Sequence, residues 1–190
     1  SLPQSQYPEA HQRIQRFTEM QEKIRQIPSV VAVGANGSLP MAGENWTATF
    51  EIQGYTPSSA EPPLSFEYRI ITPEYVRAMG IPLLRGRDFN FSDTRESKRV
   101  ALIDEKLAKK YWPDQDPIGH QIGFDSRRWF EVIGIVGHVR NVSLSQEGLG
   151  QVYIPYPQNA ADTMYFVIHT QRDPALILPE IRPQIRNIDR

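Results

Sequence analysis

From Trp46 the chain alternates cleanly. Trp46, Ala48, Phe50 and Ile52 are apolar, while Thr47, Thr49, Glu51 and Gln53 are polar. Leu64, Phe66, Tyr68 and Ile70 repeat the pattern a dozen residues later. Period-two alternation means a strand with one face on a core and the other toward water. These two runs commit much of the first half of the chain to a half-buried sheet. Further strands are read from "SVVAVGA" (29–35), "RVALI" (99–103), Gln121 to Phe124, Phe130 to Val136, "QVYIPY" (151–156) and "MYFVIHT" (164–170). Phe130 to Val136 is apolar almost throughout, which predicts burial on both faces.

Helices interrupt these strands. Residues 8–27 carry Ile14, Phe17, Ile24 and Ile27 at helical spacing, with Pro8 suited to the first helical position and Pro28 as the stop. "TPEYVRAMG" (72–80) predicts a short helix with Thr72 as N-cap, Pro73 at the first helical position and Gly80 closing it in a left-handed conformation. "IPLLRGRDF" leads away from that helix, and the polar stretch 90–98 is a candidate boundary between subdomains. A third helix follows "RVALI", capped by Asp104, with Leu107 and Tyr111 on one face. Asp173-Pro174 opens a last helix with Ile177, Ile181, Ile185 and Ile188 on one side. Pro179 and Pro183 inside it cost roughly 3 kcal/mol each at interior positions and predict a kink or break. The segments "NGSLPMAGEN", "TPSSAEPP", "DSRR" and "SLSQEGLG" read as loops. Helices neither alternate strictly with strands nor collect at one end, so the expected fold class is α+β with two subdomains.

Chemistry is hard to find in this sequence. A net charge of −1 with a pI near 6.4 gives no global attraction to nucleic acid or to an anionic membrane. The absence of cysteine excludes disulfides, thiol catalysis and thiolate metal sites. No apolar run reaches the length of about 18 residues that would mark a membrane-spanning helix. No Walker loop, GxGxxG or GxSxG occurs. Ser38 in "NGSLP" follows a glycine, yet Asn-Gly-Ser is turn composition before it is a nucleophile.

The histidines are His11, His120, His138 and His169, none paired at zinc-site spacing. If 125–128 is a hairpin tip, His120 faces position 133 or 134 and His138 lies roughly 13 Å further along, so a shared metal is not expected and both read as solvent-facing. "YWPDQDPIGHQI" (111–122) gathers Asp114, Asp116 and His120 and has the look of an active site. Its residues are explained by folding: Pro113 stops a helix, and Asp116-Pro117-Ile118-Gly119 suits a type I turn. Adjacent turn aspartates share one wet environment and do not separate their pKa values as acid–base catalysis requires. Asn45-Trp46-Thr47 and Asn141-Val142-Ser143 match the glycosylation sequon, which arises easily by chance. No catalytic residue, cofactor or metal is expected.

Four ordered blocks carry a resemblance: "ITPEYVRAMGIPLLRGRDF" (71–89, with Ile70 before it), "VALIDEKLAKKYWPDQDPIGHQI" (100–122), "FEVIGIVGHVRN" (130–141) and "VYIPYPQ" (152–158). They resemble the MacB-like periplasmic core domain of ABC-type, FtsX-like permeases, in the flavour of the duplicated acidobacterial permeases. The resemblance covers essentially the whole chain. It implies a non-catalytic domain outside the cytoplasmic membrane, set between the first two transmembrane helices of a permease and relaying ATP-driven motion to substrate export or envelope extraction. It further implies a porter-like subdomain of βαβ-type elements over 8–86 and 143–190, with a small β-rich insertion over 87–142. The implied partners are the permease's own transmembrane segments, a cytoplasmic ABC ATPase and a second permease core domain, with no nucleic acid among them. His120 stands where such sequences commonly have Lys or Arg, and His138 where Asp is common. The rival readings are a free-standing periplasmic ligand-binding module and, more remotely, a hydrolase assembled from scattered polar residues.

Overall fold

The computed structural model of the protein describes residues 1–2, 5–39, 46–57, 62–124, 127–139 and 148–186. Most of the loop at 36–45, the middle of that at 56–63, Asp125-Ser126, both sequon asparagines and Ile188 lie outside the described residues.

Helix α1 is Ala10–Arg25 and strand β1 is Val30–Asn36. The helix begins two residues later than Pro8 suggests, because the Glu9 N–H is satisfied by the Gln12 side chain at 3.3 Å and Glu9 serves as N-cap. Strands β2, Trp46–Thr49, and β3, Glu51–Ile52, keep the alternation but part company at Phe50. β2 pairs with β4, Ser65–Ile71, whereas β3 joins a different strand.

Helix α2 is Tyr75–Ala78, entered through Glu74 at φ 68° and left through Gly80, which takes the expected left-handed conformation at φ 68°. Thr72 is not its N-cap. The Thr72 hydroxyl instead accepts the Ala35 N–H at 2.8 Å and pins the helix entry to β1. Gly34 allows this contact, since a Cβ there would lie 2.3 Å from Tyr75 Cα. Strand β5, Leu83–Gly86, has all four residues exposed, so no hydrophobic pattern announces it.

Strand β6, Val100–Asp104, runs into helix α3, Glu105–Tyr111, where Asp104 Oδ1 accepts the Leu107 N–H at 2.9 Å as predicted. Strands β7, Gln121–Gly123, and β8, Trp129–Val136, form the expected hairpin, and β8 is buried over most of its length. Strand β9, Gln151–Pro155, passes through a 3-10 turn, Tyr156–Gln158, and strand β10, Tyr165–Thr170, leads to helix α4, Pro174–Arg186. α4 runs unbroken past Pro179 and Pro183, which corrects the expected break. Both prolines are on exposed positions, and Ile177 and Ile181 hold the opposite side in the core.

Among the described residues ten strands form one mixed sheet in the order β10-β1-β4-β9-β6-β8-β7-β3, with β2 on β4 and β5 on β8. β4 and β9 are parallel, as are β6 and β8; the other pairs are antiparallel. The fold is α+β, as expected. α1 and α4 pack together through Ile24, Ile177 and Ile181 over Val33 of β1, with Ile27 just after α1 in the same cluster. A second cluster joins Phe50 and Phe66 to Leu107, Trp112, Phe130 and Ile154 at the other end of the sheet.

Candidate functional site

The central strands β4 and β9 are in parallel register, Glu67 beside Gln151 and Arg69 beside Tyr153. Strand alternation puts these four side chains on one face, the face toward α2. All four are buried. Gln151 Nε2 donates to Glu67 Oε2 at 3.3 Å and to the Val139 carbonyl at 2.8 Å, and the Tyr153 hydroxyl donates to Gln151 Oε1 at 2.9 Å. Arg69 Nη2 stands 3.6 Å from Glu67 Oε2, and its Nη1 donates to Ser38 Oγ at 3.3 Å. Asn36 Nδ2 reaches both Ser38 Oγ and the Tyr75 hydroxyl at 3.4 Å. Burial pushes the phenols of Tyr75 and Tyr153 up, so both remain protonated at any ordinary pH.

The row continues at the end of β6. Asp104 Oδ2 lies 2.5 Å from His138 Nδ1 while its other oxygen caps α3. Burial pushes the Asp104 carboxyl up, against the Leu107 N–H, the His138 ring and the Gln151 N–H, which favour its charged form. His138 is therefore not solvent-facing: its side chain is 17% exposed and spent on Asp104. His120 lies opposite Val132, not 133 or 134, since Gln121 pairs with Glu131. Its ring rests on Trp112 with centroids 5.7 Å apart. The turn before it spans Pro117 to His120, closed by His120 N–H to Pro117 C=O at 3.1 Å, with Gly119 at φ 90°. That positive φ at the third position is the type II signature, so the type I turn at Asp116–Gly119 is shifted by one residue and changed in kind. Asp116 accepts from the Ile118 N–H at 3.1 Å and from Arg85 at 2.6 Å. Ser38 is buried in the polar row as a partner of Asn36 and Arg69.

Among the described residues no three His, Asp or Glu side chains converge as a metal site. The polar row was invisible in the sequence: Glu67 and Arg69 alternate with Phe66, Tyr68 and Ile70 and look like a wet face. The usable signal was β9, where "QVYIPY" is too apolar for a strand with a solvent face. A groove of about 570 Å³ lies elsewhere, between α1, Thr72-Pro73, Tyr156-Pro157 and the segment 91–96. That segment is held by two Arg87 hydrogen bonds to Asp93 at 2.8 Å and by Gln158, whose amide donates to the Thr94 and Lys98 carbonyls. Phe91 stands 46% exposed at the groove's edge.

A mixed sheet flanked by helices in this arrangement is also the build of solved extracytoplasmic transporter domains. The periplasmic region of MacB from Actinobacillus actinomycetemcomitans matches 90% of this chain and 73% of that one, with a TM-score of 0.61 at 16% identity. The extracellular domain of the noncanonic ABC-type transporter YknZ from Gram-positive bacteria matches 90% of this chain and 81% of that one, with a TM-score of 0.56 at 19% identity. These likenesses establish the fold, which is that of extracytoplasmic domains of ABC-type transporters.

Within that class the chain belongs to the MacB-like periplasmic core domain family, whose sequence profile matches residues 3–184. It is 29% identical over 114 residues to the macrolide export ATP-binding/permease protein MacB of Mannheimia succiniciproducens, a match over 55% of this chain and 17% of that protein. Against the protein of the same name from Neisseria gonorrhoeae it is 31% identical over 83 residues, 44% of this chain and 13% of that one. The matches thus span less than a fifth of the length of these curated relatives. Among the described residues no helix is long and apolar enough to cross a membrane.

Proposed function

We propose that this chain is a non-catalytic extracytoplasmic domain of an ABC-type permease that transmits ATP-driven motion to substrate export or envelope extraction. The observation that carries the reading is the family match over residues 3–184. Two structural features support it. α1 and α4 pack against each other through Ile24, Ile177 and Ile181, which suits a domain set between two successive transmembrane helices. The continuous sheet gives a stiff path from that helix pair to the far hairpin, because close-packed interiors pass strain on rather than absorb it. The permease's transmembrane segments, a cytoplasmic ABC ATPase and a second core domain are the partners this role requires, and a duplicated permease of acidobacterial type is its proposed setting.

The division into a porter-like part, 8–86 with 143–190, and an inserted part, 87–142, belongs to the same proposal. Two clusters, around Phe17 and Met20 and around Ile24 and Ile177, draw no residue from 87–142. The clusters around Phe66 with Phe130, and Tyr75 with Leu102, draw on both parts, so the two parts would move together.

The test uses the parent permease with its ATPase in proteoliposomes. Excising 3–184 is expected to leave ATP hydrolysis measurable and to abolish transport; undiminished transport would overturn the role. Apolar segments of about 20 residues on both sides of this domain in the parent gene are a second requirement. The rival, a free-standing ligand-binding module, rests on the groove beside α1, whose volume suits a small molecule. It predicts a gene without such segments.

A further inference from the structure

β10 stands at the end of the sheet, and among the described residues it pairs only with β1. The direction of its backbone groups follows from β1. The Ala35 carbonyl and N–H both point toward β4, to the Thr72 N–H and the Thr72 hydroxyl. Gly34 and Asn36 therefore face β10, where they oppose Val167 and Tyr165. Tyr165, Val167 and His169 thus bond to β1, and the N–H and C=O groups of Phe166, Ile168 and Thr170 point outward. Edge strands are usually blunted by charge, proline or a bulge that spoils pairing. "YFVIHT" holds no Asp, Glu, Lys, Arg or Pro.

The side chains indicate what fits this edge. An antiparallel pairing of β10 with itself must bring outward-facing residues opposite each other, which restricts the two-fold registers. With the axis at Val167, Phe166 bonds to Ile168 of the second copy, and exposed Tyr165 faces exposed His169 of the second copy. Moving the axis by one residue loses this match. A two-fold axis normal to the sheet also brings the two α4 helices to the same face.

We propose that β10 is a self-pairing edge: two copies of this chain join antiparallel through it, about a two-fold axis at Val167, into one continuous sheet. A six-residue strand per copy makes an interface below the usual size of stable complexes, so the dissociation constant is expected on the order of 100 µM. The inference does not depend on the transport reading, and failure of either leaves the other standing.

Sedimentation of the 190-residue chain from about 5 µM to about 1 mM should show a reversible monomer–dimer equilibrium. Y165K/H169K, which sets Lys opposite Lys, should weaken it at least about tenfold, whereas Y165E/H169K, which sets Glu opposite Lys, should preserve it. The chain contains no cysteine, so introduced thiols report register directly. Residues opposed in a non-hydrogen-bonded pair have Cα atoms about 4.5 Å apart, within disulfide reach. Y165C/H169C should oxidise to a covalent dimer, and an equimolar mixture of Y165C and H169C should cross-link where either alone does not. A wild type monomeric at 1 mM, or single-cysteine variants that link as well as the double variant, would overturn the proposal. Thermal melting of each variant confirms folding, and the cysteine result stands even if Y165K/H169K is unstable.

Discussion

Arg69 and Glu67, two residues apart on β4, share one face of the sheet with Nη2 and Oε2 3.6 Å apart and each side chain 6% exposed. Removing one charge of a buried pair strands the other in a medium that cannot solvate it. Arg69→Met is expected to cost about 3–5 kcal/mol and to lower the melting temperature by roughly 10 °C. The double variant E67L/R69M should recover most of that loss. Urea denaturation of the wild type, the single and the double variant measures both; equal losses in single and double would show that packing, not charge, holds this row.

Asp104 makes stability depend on pH in a defined direction. Its folded-state pKa is raised by burial above the ordinary 3.8, so the folded protein holds that proton more tightly than the unfolded chain. The contribution of this group is fully present below its unfolded pKa and is lost as pH rises through the folded value. Asp104→Asn retains a capping amide and removes the titration. The stability of D104N relative to wild type should therefore improve as pH rises from about 4 and then level off. Urea midpoints between pH 3.5 and 7.5 would record it, and a difference that does not vary with pH would contradict the shift.

Gln158 fastens the segment before β6. Its amide donates to the Thr94 and Lys98 carbonyls and to Ser97 Oγ at 3.0–3.2 Å, and its Oε1 accepts the Val100 N–H at 3.0 Å. Gln158→Ala should cost about 1–2 kcal/mol. Amide hydrogen exchange should quicken at Val100, while the amides of β10 keep their protection.

Gly34→Ala tests the seating of α2 on β1. The added Cβ would fall 2.3 Å from Tyr75 Cα and 2.4 Å from its backbone N, and backbone cannot swing aside as a side chain does. A loss of about 3 kcal/mol is expected, with the near-ultraviolet signal of Tyr75 altered. An unchanged midpoint would mean that α2 shifts freely.

Much of the secondary structure was legible residue by residue. Asp104 as a helix cap, Gly80 as a left-handed stop, the β7–β8 hairpin and the double burial of β8 depend on neighbours within a few positions. β5 left no trace because its residues are exposed and its pairing to β8 supplies what its side chains do not. Thr72 was misassigned as a cap because its hydroxyl answers to Ala35, 37 residues away.

By itself, then, the sequence determined the α+β class, most of the elements and the family, since each rests on local periodicity, capping residues and motif order. Tertiary structure alone decided that "YWPDQDPIGHQI" turns at Pro117 rather than Asp116, that His138 is spent on Asp104, and that Glu67 and Arg69 lie inside. The physical reason is common to all three. A polar side chain has the same local pattern whether it meets water or a partner, and the partner is chosen by strand pairing across distant parts of the chain.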